Sequence, residues 1–88
     1  MTVYQRDLRA RVRRVGGLLY LALDDQDIVL EGVAEFIWHR LGHRATVETL
    51  IEAVAEEYDV AGPEVAADVA EVVDDLVATG FVQVRGER

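Results

Sequence analysis

Glu35, His39 and His43 are the residues whose types and spacing come nearest to a metal site, at i, i+4 and i+8. A continuous helix would place all three on one face. Gly42 is expected to break that register before His43, so they read as polar residues on an exposed helix edge, and no metal or cofactor is expected. Asp68, Glu71 and Asp75 share a helical face at i, i+3 and i+7. Such a run is most simply a solvated surface. Beside it, however, runs an apolar stripe of Val65, Val69, Val72 and Leu76, so a ligand laid there would pass between an apolar floor and an acidic rim. Paired carboxylates for acid–base work would need an enclosed pocket, which nothing in the sequence suggests. Arg9, Arg11 and Arg13 alternate along one segment, either guarding a strand edge or docking an acidic partner. The chain contains no Ser, Cys, Lys or Asn, which removes the usual hydroxyl and thiol nucleophiles, Schiff-base chemistry and amide oxyanion donors. An enzyme is not expected.

Composition narrows the field further. Eighty-eight residues, 51% hydrophobic and 30% charged, make one globular domain over residues 1–88. No apolar run approaches the roughly 20 residues of a membrane helix and no signal-peptide pattern precedes one, so a cytoplasmic protein without membrane contact is expected. Without Cys, the fold must rest on packing. Five of the nine Arg precede Gly16, whereas from Asp24 onward sixteen acids face four Arg. A net charge of −8 opposes approach to a phosphate backbone, so nucleic acid is not an expected partner.

These residues need elements to position them. Leu8, Ala10 and Val12 alternate with Arg9, Arg11 and Arg13, the pattern of an edge strand. Gly16 and Gly17 make a hairpin turn. Residues 18–23 follow, with Leu19, Leu21 and Leu23 on one face and Leu18, Tyr20 and Ala22 on the other, and Asp24-Asp25-Gln26 closes a second hairpin into Ile28, Val29 and Leu30. That strand hands over directly to a helix carrying Val33, Ala34, Phe36, Ile37, Trp38 and Leu41, with so few polar positions that it should be central. Trp38 and Phe36 read as core. Thr46 is the expected N-cap of a helix with Val47, Leu50, Ile51, Val54, Ala55 and Tyr58 on one face. Gly62-Pro63 begins a third helix, in which Val69 and Val72 are assigned to a ligand stripe and Val73 and Val77 to the core. Gly80 ends it, and residues 81–84 return as a short strand.

In order and spacing the chain resembles the PqqD-like family. The segments that carry the resemblance are the strand and helix of residues 28–41, Thr-Val-x-x-Leu-Ile at 46–51, acidic-Tyr-x-Val at 57–60, Asp-Val-x-x-x-Val-x-x-Leu at 68–76 and Gly-Phe-Val at 80–82. Together they cover about two thirds of the chain, and no single motif is specific. The family tends to have Asn after the strand Leu, whereas Glu31 stands here, leaving Gly32 to cap the central helix, less well. The resemblance implies an α+β winged helix-turn-helix fold: an N-terminal three-stranded antiparallel β-meander, three helices and a short C-terminal strand. It also implies a recognition element for ribosomally made, post-translationally modified peptides, of the kind serving pyrroloquinoline quinone, lasso-peptide and mycofactocin pathways. In that family the leader segment of a precursor peptide adds as a strand to the third meander strand and drops side chains beside the third helix. Carried onto this chain, the strand is Asp27, Ile28, Val29, Leu30 and Glu31, and the groove is Val65, Asp68, Val69, Val72, Asp75 and Leu76. The implied partners are a precursor peptide and a modifying enzyme or leader peptidase.

Two other classes stay open at this level. A winged-helix DNA reader, or a general protein-interaction module, would share the fold, but the DNA reader needs cations on its second or third helix. A carrier protein would need a Ser for its phosphopantetheine arm. The sequence leaves open which precursor and enzyme are involved, whether the chain dimerises, and what covers the second face of residues 18–23.

Overall fold

The computed structural model describes residues 2–87. Strand β1 (Thr2–Arg6) precedes the meander β2 (Arg11–Val15), β3 (Leu18–Leu23) and β4 (Gln26–Leu30), and helices α1 (Val33–Arg40), α2 (Val47–Tyr58) and α3 (Gly62–Ala78) lead to β5 (Val82–Glu87). The meander pairs antiparallel in the order β2-β3-β4, and β1 pairs antiparallel with β5 in a separate two-stranded sheet. Its shortest dimension, 18 Å, accommodates one sheet layer against one helical layer.

The meander follows from its turns. Gly16 and Gly17 have φ of 59° and 87°, the two positive values of a type I′ hairpin turn, which glycine adopts without steric cost. Leu19, Leu21 and Leu23 are buried on one face, while Leu18, Tyr20 and Ala22 on the other are half-buried. With Leu30, Ile37, Trp38, Leu41, Leu50, Val54, Val69, Val73, Leu76, Phe81 and Val82, the first three form a continuous core. Thr46 caps α2 as expected: its hydroxyl accepts the Thr49 N–H at 3.2 Å and the Thr49 hydroxyl accepts the Thr46 N–H at 3.1 Å. Helix α3 ends in a Schellman turn, with Phe81 N–H on the Leu76 carbonyl, Gly80 N–H on that of Val77, and Gly80 at φ 89°. Among the described residues, no helix is long and apolar enough to cross a membrane.

Four expectations are corrected. Strand β1 was not anticipated, because its partners are β5 at the far end of the chain and the loop after α1, where Tyr4 and Ala45 exchange backbone bonds of 2.8 and 3.0 Å. The first meander strand starts at Arg11, so Leu8 and Arg9 lie in a turn: the Asp7 carboxylate accepts the Arg9 backbone N–H at 2.8 Å, and Leu8 is 74% exposed. Pro63 occupies the second position of α3, after Gly62, and the terminal strand begins at Val82 with Phe81 fully buried before it.

Candidate functional site

Strand β4 is an edge. It pairs only with β3 in the sheet, and the two-residue turn between Leu23 and Gln26 makes those residues a hydrogen-bonded pair, so bonded pairs recur at Leu21–Ile28 and Leu19–Leu30. Ile28 and Leu30 therefore direct their backbone N–H and C=O groups inward to β3. Asp27 and Val29 direct theirs outward, along the open side of the sheet. Side chains alternate in the other sense. Ile28 and Leu30 face the core with Leu21 and Leu19, whereas Val29, 47% exposed, and Asp27 share the outer face with Tyr20 and Ala22. The edge ends where Gly32, at φ 60° and ψ −130°, turns the chain into α1 without a side-chain cap. That backbone conformation belongs to glycine, which explains how Glu31 stands before the helix although it does not cap it.

Alongside this edge runs a groove of about 160 Å³, lined by Ile28, Leu30, Ala34, Val72, Asp75, Leu76 and Thr79. Strand and helix run in opposite directions here: the Gln26 side-chain amide donates to the Thr79 carbonyl at 2.8 Å and closes one end, while Leu30, Ala34 and Val72 form the other. Of the residues expected from sequence, Ile28, Leu30, Val72, Asp75 and Leu76 are brought together, with Asp27, Val29 and Glu31 exposed on the edge beside them.

The others lie elsewhere. Val69 is fully buried and belongs to the core, Val65 is half-buried against that core, and Asp68 is exposed outside the groove. Val69, Val73 and Leu76 form the buried stripe of α3, so Val69, expected in the ligand stripe, belongs to the core, while Val77 is half-buried against that core and does not line the groove. Ala34 and Thr79 were missed. Ala34 lies in the first turn after the strand, and Thr79 follows Val72, Asp75 and Leu76 at i+7, i+4 and i+3, a periodicity that marks it as the end of the same face.

The outer face of the meander is a broader depression of about 950 Å³ that includes Arg11, Arg13, Tyr20, Ala22, Asp27 and Val29. The Arg row divides here. Arg9 grips the buried Asp7 carboxylate through Nε and Nη2 at 3.2 and 2.9 Å, and Gln83 donates to the same carboxylate at 2.9 Å. Hydrogen bonds from the Arg9 side chain and backbone hold the Asp7 carboxyl below the usual carboxylate range, against the opposing effect of burial. Arg14 reaches Glu35 on α1, and its hydrogen bond lowers the Glu35 carboxyl and raises the guanidinium. Arg11 and Arg13 remain on the outer face. Glu35 also lies 3.4 Å from His39 Nε2, but α1 stops at Arg40, so His43 leaves that face. Among the described residues, no group of three or more His, Cys, Asp or Glu is placed to hold a metal ion.

Comparison with solved structures gives a close likeness in fold to TbiB1 in complex with the TbiA(beta) leader peptide: a TM-score of 0.76 at 18% identity, covering 94% of this chain and 99% of that one. No curated protein matches the chain. The family model for Coenzyme PQQ synthesis protein D (PqqD) matches residues 18–82. That span runs from the first residue of β3 to the first residue of β5, well over half the chain, and it includes both the β4 edge and the groove beside α3: the chain belongs to the PqqD family.

Proposed function

We propose that this protein binds the leader segment of a ribosomally made precursor peptide by strand addition to β4, and delivers it in the cytoplasm to a modifying enzyme or leader peptidase of a peptide natural-product or peptide-derived cofactor pathway, such as a lasso-peptide pathway. The observation that carries this reading is the conjunction of an unpaired strand edge and an apolar groove on one side of it. Added main chain would take up the outward N–H and C=O groups of Asp27 and Val29, and alternate side chains would enter the groove. Five residues of edge accept a partner strand of about five residues, roughly 17 Å long. A disordered leader suits such a site, since preformed edge bonds offset part of its ordering cost and leave an expected Kd of about 1 µM. The PqqD family membership and the leader-bound state of TbiB1 support the same reading. The DNA-reading alternative gains no support, because neither α2 nor α3 carries a Lys or Arg.

Val29→Pro is the direct test. It removes one outward N–H without touching a bond to β3, so the protein should stay folded while leader affinity falls about tenfold or more. Normal leader binding by a folded Val29→Pro protein would rule the edge out.

A further inference from the structure

The groove has a charge asymmetry that strand addition alone does not require. Ile28, Leu30, Ala34, Val72 and Leu76 make its floor apolar, and among the described residues Asp75 is the only charged one in its lining. Asp75 is exposed and, among the described residues, its carboxylate enters no ion pair or hydrogen bond; its backbone carbonyl accepts the Thr79 N–H and hydroxyl, both at 3.0 Å. On the facing strand Asp27 is exposed but belongs to the outer face, outside the groove lining. Arg9 is bound to Asp7 and Arg14 to Glu35, and Arg11 and Arg13 lie on the outer face of the meander with Asp27, so among the described residues no cation lines the groove.

We infer that the groove selects a strand in which one aliphatic or aromatic side chain is followed or preceded, two residues away, by Arg or Lys held against Asp75. This rests on the strand-addition reading and adds the chemistry of the segment recognised. The volume sets the apolar half: about 160 Å³ holds one branched aliphatic side chain or one phenyl ring, since cavities of roughly 150 Å³ lined by similar residues accept benzene. The spacing sets the basic half. Val72 and Asp75 are separated by about 4.5 Å along the helix axis, and same-face side chains of a strand by about 6.7 Å, so an anchor against Val72 puts the next groove-facing side chain beside Asp75. A leader with Glu there would bring two carboxylates together at the mouth of an apolar site, which selects against it. The net charge of −8 favours the same basic segment during encounter.

The test is a display selection with random peptides of roughly 12 residues, long enough to exceed the edge strand, run in parallel against the wild type, Val29→Pro, Asp75→Asn and Asp75→Lys. Wild-type binders should be enriched in Leu, Ile, Met or Phe with Arg or Lys two positions away. The Asp75→Lys pool should lose that basic position and acquire Asp or Glu there. For one selected peptide, replacing its basic residue with Gln should weaken wild-type binding about fivefold, the upper range of an exposed ion pair, and should have no effect on Asp75→Asn. That difference should shrink between about 50 and 500 mM salt. Binders that need the Val29 edge but ignore the charge at position 75 would overturn the selectivity inference and leave strand addition standing. Binders indifferent to Val29→Pro, or no binders at all, would overturn strand addition and this inference with it.

Discussion

Val72 and Val73 are adjacent, yet a truncation at each is expected to report on a different property. Val73 is fully buried and Val72 half-buried on the groove. Val73→Ala should cost about 1 to 3 kcal/mol through lost transfer energy and a residual cavity, with leader affinity unchanged, whereas Val72→Ala should move the denaturant midpoint little and weaken leader binding several-fold. Paired urea melts and binding titrations check both. Asp7 gives a second prediction, in pH. Its carboxyl is held below the range it would have in the unfolded chain by its bonds to Arg9, so its contribution to stability is present above a pH of about 4 and is lost as pH falls through the lowered folded value. Asp7→Asn should therefore flatten part of the stability loss between neutral and strongly acid pH, measured by urea unfolding at each pH.

At the scale of elements, β4 is where local sequence and the proposed site coincide. Its strand character, its handover to α1 and the apolar face of α3 were all legible, because each rests on residues close in the chain: Ile28, Val29 and Leu30 before Gly32, and Val72 with Leu76 at i+4. Thr46 was legible for the same reason, its capping partner lying three residues on. What could not be read depends on partners far away. Nothing near Thr2–Arg6 signals that it pairs with Val82–Glu87, and the break in the Leu8, Ala10, Val12 alternation comes from an Asp7 side chain that is held by Gln83 as well as by its neighbours. The burial of Val69 has a geometric origin. Helix α3 carries more apolar positions than one contact needs, and its crossing over α2 and α1 decides which of them are covered. Ala34 and Thr79 were silent because a small residue and a C-terminal Thr acquire a role only once β4 lies beside them. Arg11 and Arg13 belong to an element with a separate prediction. If the outer face of the meander docks the processing enzyme, the double Arg→Glu variant should slow processing and reduce its salt sensitivity at unchanged leader affinity, read in a reconstituted assay; unchanged processing would return both residues to guarding the strand edge.

The whole molecule divides its labour between two sheets. The β1–β5 pair is tied by Asp7, Arg9 and Gln83 to the turn that leads into β2 and by Tyr4 and Ala45 to the loop after α1, while the β2-β3-β4 sheet packs its inner face on the helices and is open at β4. Backbone amide exchange reads every part of that arrangement in one experiment. In the free protein, the amides of Ile28 and Leu30, bonded to β3, should exchange slowly, and those of Asp27 and Val29, directed outward, should exchange fast. Adding leader peptide should slow Asp27 and Val29 selectively, an alternating pattern that strand addition produces and side-chain docking does not. If the leader instead protects amides around Tyr20 and Ala22, or slows none between residues 27 and 31, the central claim that β4 captures the peptide is contradicted.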